Sequence, residues 1–255
     1  TVTVDLQPIE NAGNRSGIVA VFCTVKCALR GLPMFIAARP KTPLRVLCVM
    51  AFDTLHVLRM SERMPEHRAK TLVALLDFGA CTNAELDGKK FSEDDYQSAR
   101  RQLETAGVGV TVDEYVRRLK ELERQRPTLG GDLQQFQDAR RYRESVVRLS
   151  LGIVAATAFG DQDLEKWIEA TQCNDDLSTL FRIVMQCQII DDVVDYSKDL
   201  SAGLPGFLTA PTSLSRAFEW TNQSARQYAD DRGLSRSSDE FPLRLALSVV
   251  LWLQG

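Results

Sequence analysis

Apolar residues return at spacings of three and four along almost the whole chain, and the alternation of a half-buried strand is nearly absent, so the pattern predicts an all-α protein. The predicted helices span 16–30, 34–38, 43–60, 66–86, 93–106, 112–126, 133–159, 161–171, 176–199, 213–231 and 241–253. Breakers separate them: Gly31 to Pro33, Pro40 to Pro43, Gly107 and Gly109, Pro127 to Gly131, Gly160, and then Gly203, Pro205 and Gly206. Ser92 followed by Asp95, and Thr111 followed by Glu114, have the form of capping boxes. The polar stretch Gly233 to Glu240 reads as a loop, and no long linker rich in Pro, Gly or Ser divides the chain. The expectation is a disordered N-terminal segment over 1–13 and one α-helical domain over 14–255. A large helical bundle of this kind builds its sites from side chains on facing helices.

One segment departs from the pattern. After the apolar positions Leu180, Ile183, Val184, Cys187, Ile189 and Ile190 come Asp191, Asp192, Asp195 and Asp199. On a helix, Asp191, Asp195 and Asp199 fall at i, i+4 and i+8 and share one face, with Asp192 beside the first. Like charges one turn apart repel, and unpaired carboxylates next to buried apolar surface are costly. A hard divalent cation offsets both: magnesium takes oxygen ligands, keeps several waters and bridges carboxylates to substrate phosphates. The stripe therefore reads as one half of a magnesium diphosphate site. The ordinary alternative is an exposed acidic helix end, solvated by water and by Lys198.

The 255 residues can bury a sizeable core; 44% are hydrophobic and 25% charged, with net charge −3, so there is no broad basic field and no nucleic-acid partner is expected. The cysteines at 23, 27, 48, 81, 173 and 187 form no CxxC and sit mostly in apolar runs, as reduced core thiols do, which points to a reducing, cytoplasmic setting. With His56 and His67 the only histidines, a zinc site is not expected. The longest apolar stretches are broken by Lys26, Arg30, Asp53 or Arg59, so no transmembrane segment is expected, although a lipid-handling protein can still touch a membrane surface.

A magnesium cluster needs ligands from a second helix. Asp77 interrupts the apolar part of 66–86, Asn83 and Asp87 follow at i+4 to each other, and Gly79, Ala80 and Ala84 leave room for close approach. The ordinary readings are a buried ion pair for Asp77 and helix capping before Gly88 for the other two. Asp53 and His56 form a reserve acidic element, against which stands the commoner reading of His56 as a satisfied core residue. For the anion, Arg140, Arg141, Arg143 and Arg148 cluster at the start of an apolar helix, and the arginine fork suits phosphate oxygens. Arg148, within the apolar part, is the expected inward contact; Arg140 and Arg141 read as a solvated face. Lys198, Lys89 and Lys90 are placed to close over the anion.

Taken together, Gln188-Ile-Ile-Asp191-Asp192-Val-Val-Asp195-Tyr-Ser-Lys-Asp199 resembles the second aspartate-rich motif, DDxxDxxxD preceded by glutamine, of the trans-prenyl diphosphate synthases. These belong to the class I isoprenoid synthases, with terpene synthases and squalene and phytoene synthases. Residues 199–210 resemble the glycine-containing segment that follows this motif, and Arg143 and Arg148 lie where related enzymes carry a diphosphate-sensing arginine. The resemblance implies an isoprenoid synthase bundle around a central cavity, Mg2+ as cofactor, a prenyl diphosphate substrate and, as is frequent in that family, a homodimer. It implies Asp191, Asp192, Asp195 and Arg148 as catalytic residues. Metal ligands would come from Asp191, Asp192, Asp195 and Asp199 with Asn83, Asp87 and Asp77, and diphosphate contacts from Arg143, Arg148, Lys198 and Gln188.

The chain also departs from that family. The first motif, DDxxD, survives only as Asn83-Ala84-Glu85-Leu86-Asp87, and neither the GKxxRP element nor the arginine pair of chain-elongating members is present. Head-to-tail elongation is therefore disfavoured. The expected reaction is ionisation of one linear allylic diphosphate, with release of diphosphate and cyclisation or rearrangement of the cation. A prenyltransferase, including a head-to-head condensation of the squalene or phytoene kind, is the second expectation. A non-catalytic helical partner of a synthase is the third.

Overall fold

The structure, a computed structural model, describes residues 42–229 apart from Asn174. The predicted segments 1–13, 16–30, 34–38, 233–240 and 241–253 lie outside the described residues. Among the described residues there are nine helices and no strand. They are α1 Pro43–Met60, α2 Glu66–Leu86, α3 Glu93–Thr105, α4 Gly109–Arg124, α5 Leu133–Phe159, α6 Leu164–Cys173, α7 Asp175–Val194, α8 Tyr196–Ala202 and α9 Leu214–Ala229. No described helix is long and apolar enough to cross a membrane.

Local chemistry accounts for most helix ends. Thr42 caps α1 by accepting from the Arg45 N–H, with Pro43 at the first turn, where its missing donor costs nothing. Ser92 caps α3 through the Asp95 N–H at 3.2 Å. The Thr111 box does not form: α4 begins earlier, at Gly109, and Thr111 is buried with its hydroxyl donating to the Gln162 carbonyl. Glu114 instead pairs with Arg117 and Arg118. The full capping box is at α5, where Asp132 accepts from the helix backbone and Gln135 reaches back to the Asp132 N–H. α6 starts at Leu164 and not 161, because Asp161 accepts the Asp163 N–H in the preceding turn and Asp163 accepts the Lys166 N–H from the first turn of the helix.

The longest helix organises the rest. α5 has 27 residues, which at 1.5 Å per residue makes it roughly 40 Å long, and it packs against α1, α2, α4, α6 and α7. Leu149 through Ala158 are buried almost without interruption, too wide a belt for an amphipathic surface helix and right for a central one. Gly152 brings α6 close, since a Cβ there would lie 2.7 Å from Ile168 Cγ1. α9 runs antiparallel to α7, with Tyr228 against Phe181 and the Gln186 amide donating to the Ala225 carbonyl at 2.8 Å.

The link from α8 to α9 is buried from Pro205 to Pro211. A buried loop must satisfy its backbone polar groups internally, and this strap does so. Gly206 N–H donates to Thr209 Oγ1 (2.7 Å), Phe207 N–H to Asp192 Oδ2 (2.6 Å), and the Phe207 carbonyl accepts from Thr221 (3.3 Å). The Ala210 carbonyl accepts from the Gly130 and Gly131 N–H groups, tying the strap to the start of α5. Phe207 packs edge-on against Phe136, within 6.1 Å between ring centres.

Candidate functional site

The expected helix 176–199 is interrupted once. α7 ends at Val194 and α8 begins at Tyr196, with Asp195 between them at φ −92°, ψ 7°. Helical hydrogen bonds span the break: Asp195 N–H donates to the Asp191 carbonyl (2.8 Å) and Asp199 N–H to that of Asp195 (2.9 Å). Two adjacent β-branched residues and repelling carboxylates are sufficient reason for regular helix to weaken there. The turn-by-turn succession of Asp191, Asp195 and Asp199 is kept.

The four aspartates have different surroundings. Asp191 is exposed, Asp195 and Asp199 are half-buried, and Asp192 is 3% exposed. Lys198 pairs with Asp195. Burial, then the neighbouring Asp195 and Asp191, push the Asp199 carboxyl above its ordinary range, while Arg143 and Lys198 pull the other way. Asp192 is raised as well, first by burial, against the opposing pull of Arg143 and the Phe207 N–H.

Arg143, from α5, is the cation that meets the stripe. Its Nη2 lies 3.2 Å from Asp192 Oδ1, its Nη1 donates to Gln188 Oε1 at 3.3 Å, and its Nε is buried with no hydrogen-bond partner. Three residues expected from the sequence, Arg143, Gln188 and Asp192, are thus brought together.

The other candidates have partners elsewhere. Arg148 is turned away from the stripe: it donates to the Thr171 carbonyl and hydroxyl at 3.1 Å and stacks over Phe181 at 3.8 Å from the ring centre. Burial lowers its pKa. It is one turn and a residue beyond Arg143, and that rotation is enough to face α6 and the N-terminal half of α7. Asp77 pairs with Arg45 at 2.8 Å. Asp87 is the C-cap of α2 and pairs with Lys89 at 2.6 Å and more loosely with Arg126, while Asn83 is exposed and accepts the Asp87 N–H at its carbonyl. Asp53 accepts the Met64 N–H at 2.9 Å and pairs with Arg63, and His56 donates from Nδ1 to the Glu62 carbonyl at 2.9 Å while stacking on Phe159. Asp53 and His56 therefore staple the turn between α1 and α2.

Among the described residues, no three Asp, Glu, His or Cys side chains converge as a ready-made metal cage. The donors on α7 and α8 still suit magnesium in kind, as hard oxygens one turn apart, and magnesium bound through one or two carboxylates needs no full protein cage. Clefts of about 400 and 320 Å³ lie elsewhere, one beside Leu122 and Tyr142, the other beside Gly131 and Trp220, and neither is lined by an aspartate of α7 or α8.

The strap that bonds Asp192 is the element that helical periodicity misses. Its signal was present as Leu204-Pro-Gly-Phe, where a glycine inside an apolar run marks close backbone approach. A Cβ on Gly206 would lie 2.9 Å from Asp192 Cγ. Compared with known proteins, the chain matches no protein-family model, no curated protein and no solved structure.

Proposed function

We propose that the protein is a magnesium-dependent class I isoprenoid synthase of the lyase kind, which ionises a linear allylic prenyl diphosphate and releases diphosphate as the cation cyclises or rearranges. The observation that carries this reading is the meeting of Arg143 and Gln188 with Asp192 at the head of an aspartate stripe, where hard oxygen donors and a guanidinium stand side by side. Bound magnesium would supply electrostatic stabilisation of the departing diphosphate. Asp191, Asp195 and Asp199 would hold it through oxygen atoms. Arg143 presents a two-pronged donor for diphosphate oxygens, and Lys198 adds a mobile point charge from the rim. The free thiols of Cys48, Cys173 and Cys187 accord with a reducing cytoplasm.

A second reading has its own support. The residues expected to complete the opposite wall, Asp77, Asp87 and Asp53, all have cationic partners within their own region. That arrangement fits a helical partner subunit that keeps one acidic motif and lacks turnover. Incubation with geranyl, farnesyl and geranylgeranyl diphosphates and magnesium, with and without isopentenyl diphosphate, separates the readings. Diphosphate release without an acceptor supports the lyase; strict dependence on an acceptor supports a prenyltransferase; no release under either condition supports the subunit.

A further inference from the structure

Asp192 has the least room of the four aspartates to act as a metal ligand. Both of its oxygens are engaged, Oδ1 with Arg143 and Oδ2 with the Phe207 N–H. It is buried, and the Gly206 backbone lies so close that no side chain fits between them. Removing the carboxylate would leave a buried N–H unpaired and Arg143 without its carboxylate partner, whereas the other three aspartates leave no such debt. The same carboxylate thus joins α7, the strap and the α5 arginine.

We propose that Asp192 is a positioning residue and not a metal ligand: it pins Arg143 and the 204–211 strap into one unit, and so aims the guanidinium that receives diphosphate. The inference rests on the diphosphate reading above. Gly206 belongs to the same device, because its missing Cβ is what lets the strap reach the carboxylate. Magnesium then falls to one or two of Asp191, Asp195 and Asp199, which share the more open face.

The test uses the full chain, Mn2+ as the metal probe and inorganic diphosphate as the anion probe. Asp192→Asn and Arg143→Ala are each expected to weaken diphosphate binding about tenfold, the loss of one charge-assisted contact, and the double variant is expected to be no weaker than Arg143→Ala alone. Mn2+ affinity in Asp192→Asn is expected to stay within about twofold of the parent, whereas Asp191→Asn lowers it about tenfold or more. Hydrogen exchange at the Phe207 amide is expected to speed up in Asp192→Asn and Gly206→Ala but not in Asp191→Asn. Gly206→Ala is expected to add nothing further in an Asp192→Ala background, where the obstructing carboxylate is gone. An Asp192→Asn protein that loses Mn2+ as Asp191→Asn does, with Phe207 exchange unchanged, overturns the assignment. If the parent binds neither Mn2+ nor diphosphate, the diphosphate reading and the aiming of Arg143 fall together. Faster Phe207 exchange in that case supports only the pin between Asp192 and the strap, and unchanged exchange overturns that too.

Discussion

A buried carboxylate can answer to a metal, to a cation or to a backbone N–H, and the two buried aspartates here answer to a cation and a backbone N–H together. Asp53 and Asp192 both interrupt apolar helix, and both accept a backbone N–H from a following loop, Met64 in one case and Phe207 in the other. The sequence shows the interruption but not the partner, because the partner is 11 or 15 residues away across a turn whose path the pattern does not set. Asp53→Ala is expected to destabilise the fold by about 2–3 kcal/mol, the cost of stranding a buried donor and a nearby arginine, while leaving Mn2+ affinity unchanged. Chemical denaturation and metal titration of that variant check the two halves separately. Arg143 and Arg148 teach the same lesson in a helix: both were legible as candidates, but which of them meets the acidic stripe depends on the rotation of α5 about its own axis.

At the scale of elements, the pattern located the described helices except that it ran Asp175–Val194 and Tyr196–Ala202 together, and the errors lie where tertiary contacts displaced local signals. α4 begins before Thr111 because that hydroxyl is taken by Gln162 from the turn before α6, and the helix at 176–199 bends at Asp195 where like charges meet a β-branched pair. The close approach of α5 and α6 hangs on Gly152. Alanine there gains about 1 kcal/mol of helix propensity, but overpacking against Ile168 costs roughly 1–3 kcal/mol, so Gly152→Ala is expected to lower stability on balance. Thermal melting of the variant decides the sign. The acidic stripe makes a pH prediction. Asp192 and Asp199 have carboxyl groups raised above the ordinary range in the fold, so their contribution to stability is present in acid and is lost as pH rises through those raised values. Bound magnesium opposes that loss at Asp199, so added Mg2+ should raise the melting temperature more at a pH above that raised value than at a pH below it, and Asp199→Asn should narrow the difference. Equal shifts at both pH values contradict a carboxylate-held metal.

The whole molecule, as far as it is described, is a helical assembly centred on α5; its helical class was legible because a 3.6-residue period repeats in nearly every segment, while the central place of α5 was not. Also not legible is where the strap docks: Pro and Gly in an apolar run signal close backbone approach but not its partners, which are Phe136, Thr221, Asp192, Gly130 and Gly131. Packing also sorts the thiols. Burial pushes the Cys48 thiol up to about 12, while Cys173 is exposed. Iodoacetamide near neutral pH is therefore expected to label Cys173 readily and Cys48 only once the fold opens, as read by peptide mass mapping.

The central claim, that the stripe on α7 and α8 serves release of diphosphate from a prenyl chain, has one direct measurement. Diphosphate release from farnesyl and geranylgeranyl diphosphates is followed with magnesium in the parent protein and in Asp191→Ala. The account predicts magnesium-dependent release by the parent and a loss of about a hundredfold or more in the variant, on the scale of removing a main electrostatic contributor to the transition state. Release that is absent in the parent with every prenyl diphosphate tried, or equal in parent and variant, contradicts it.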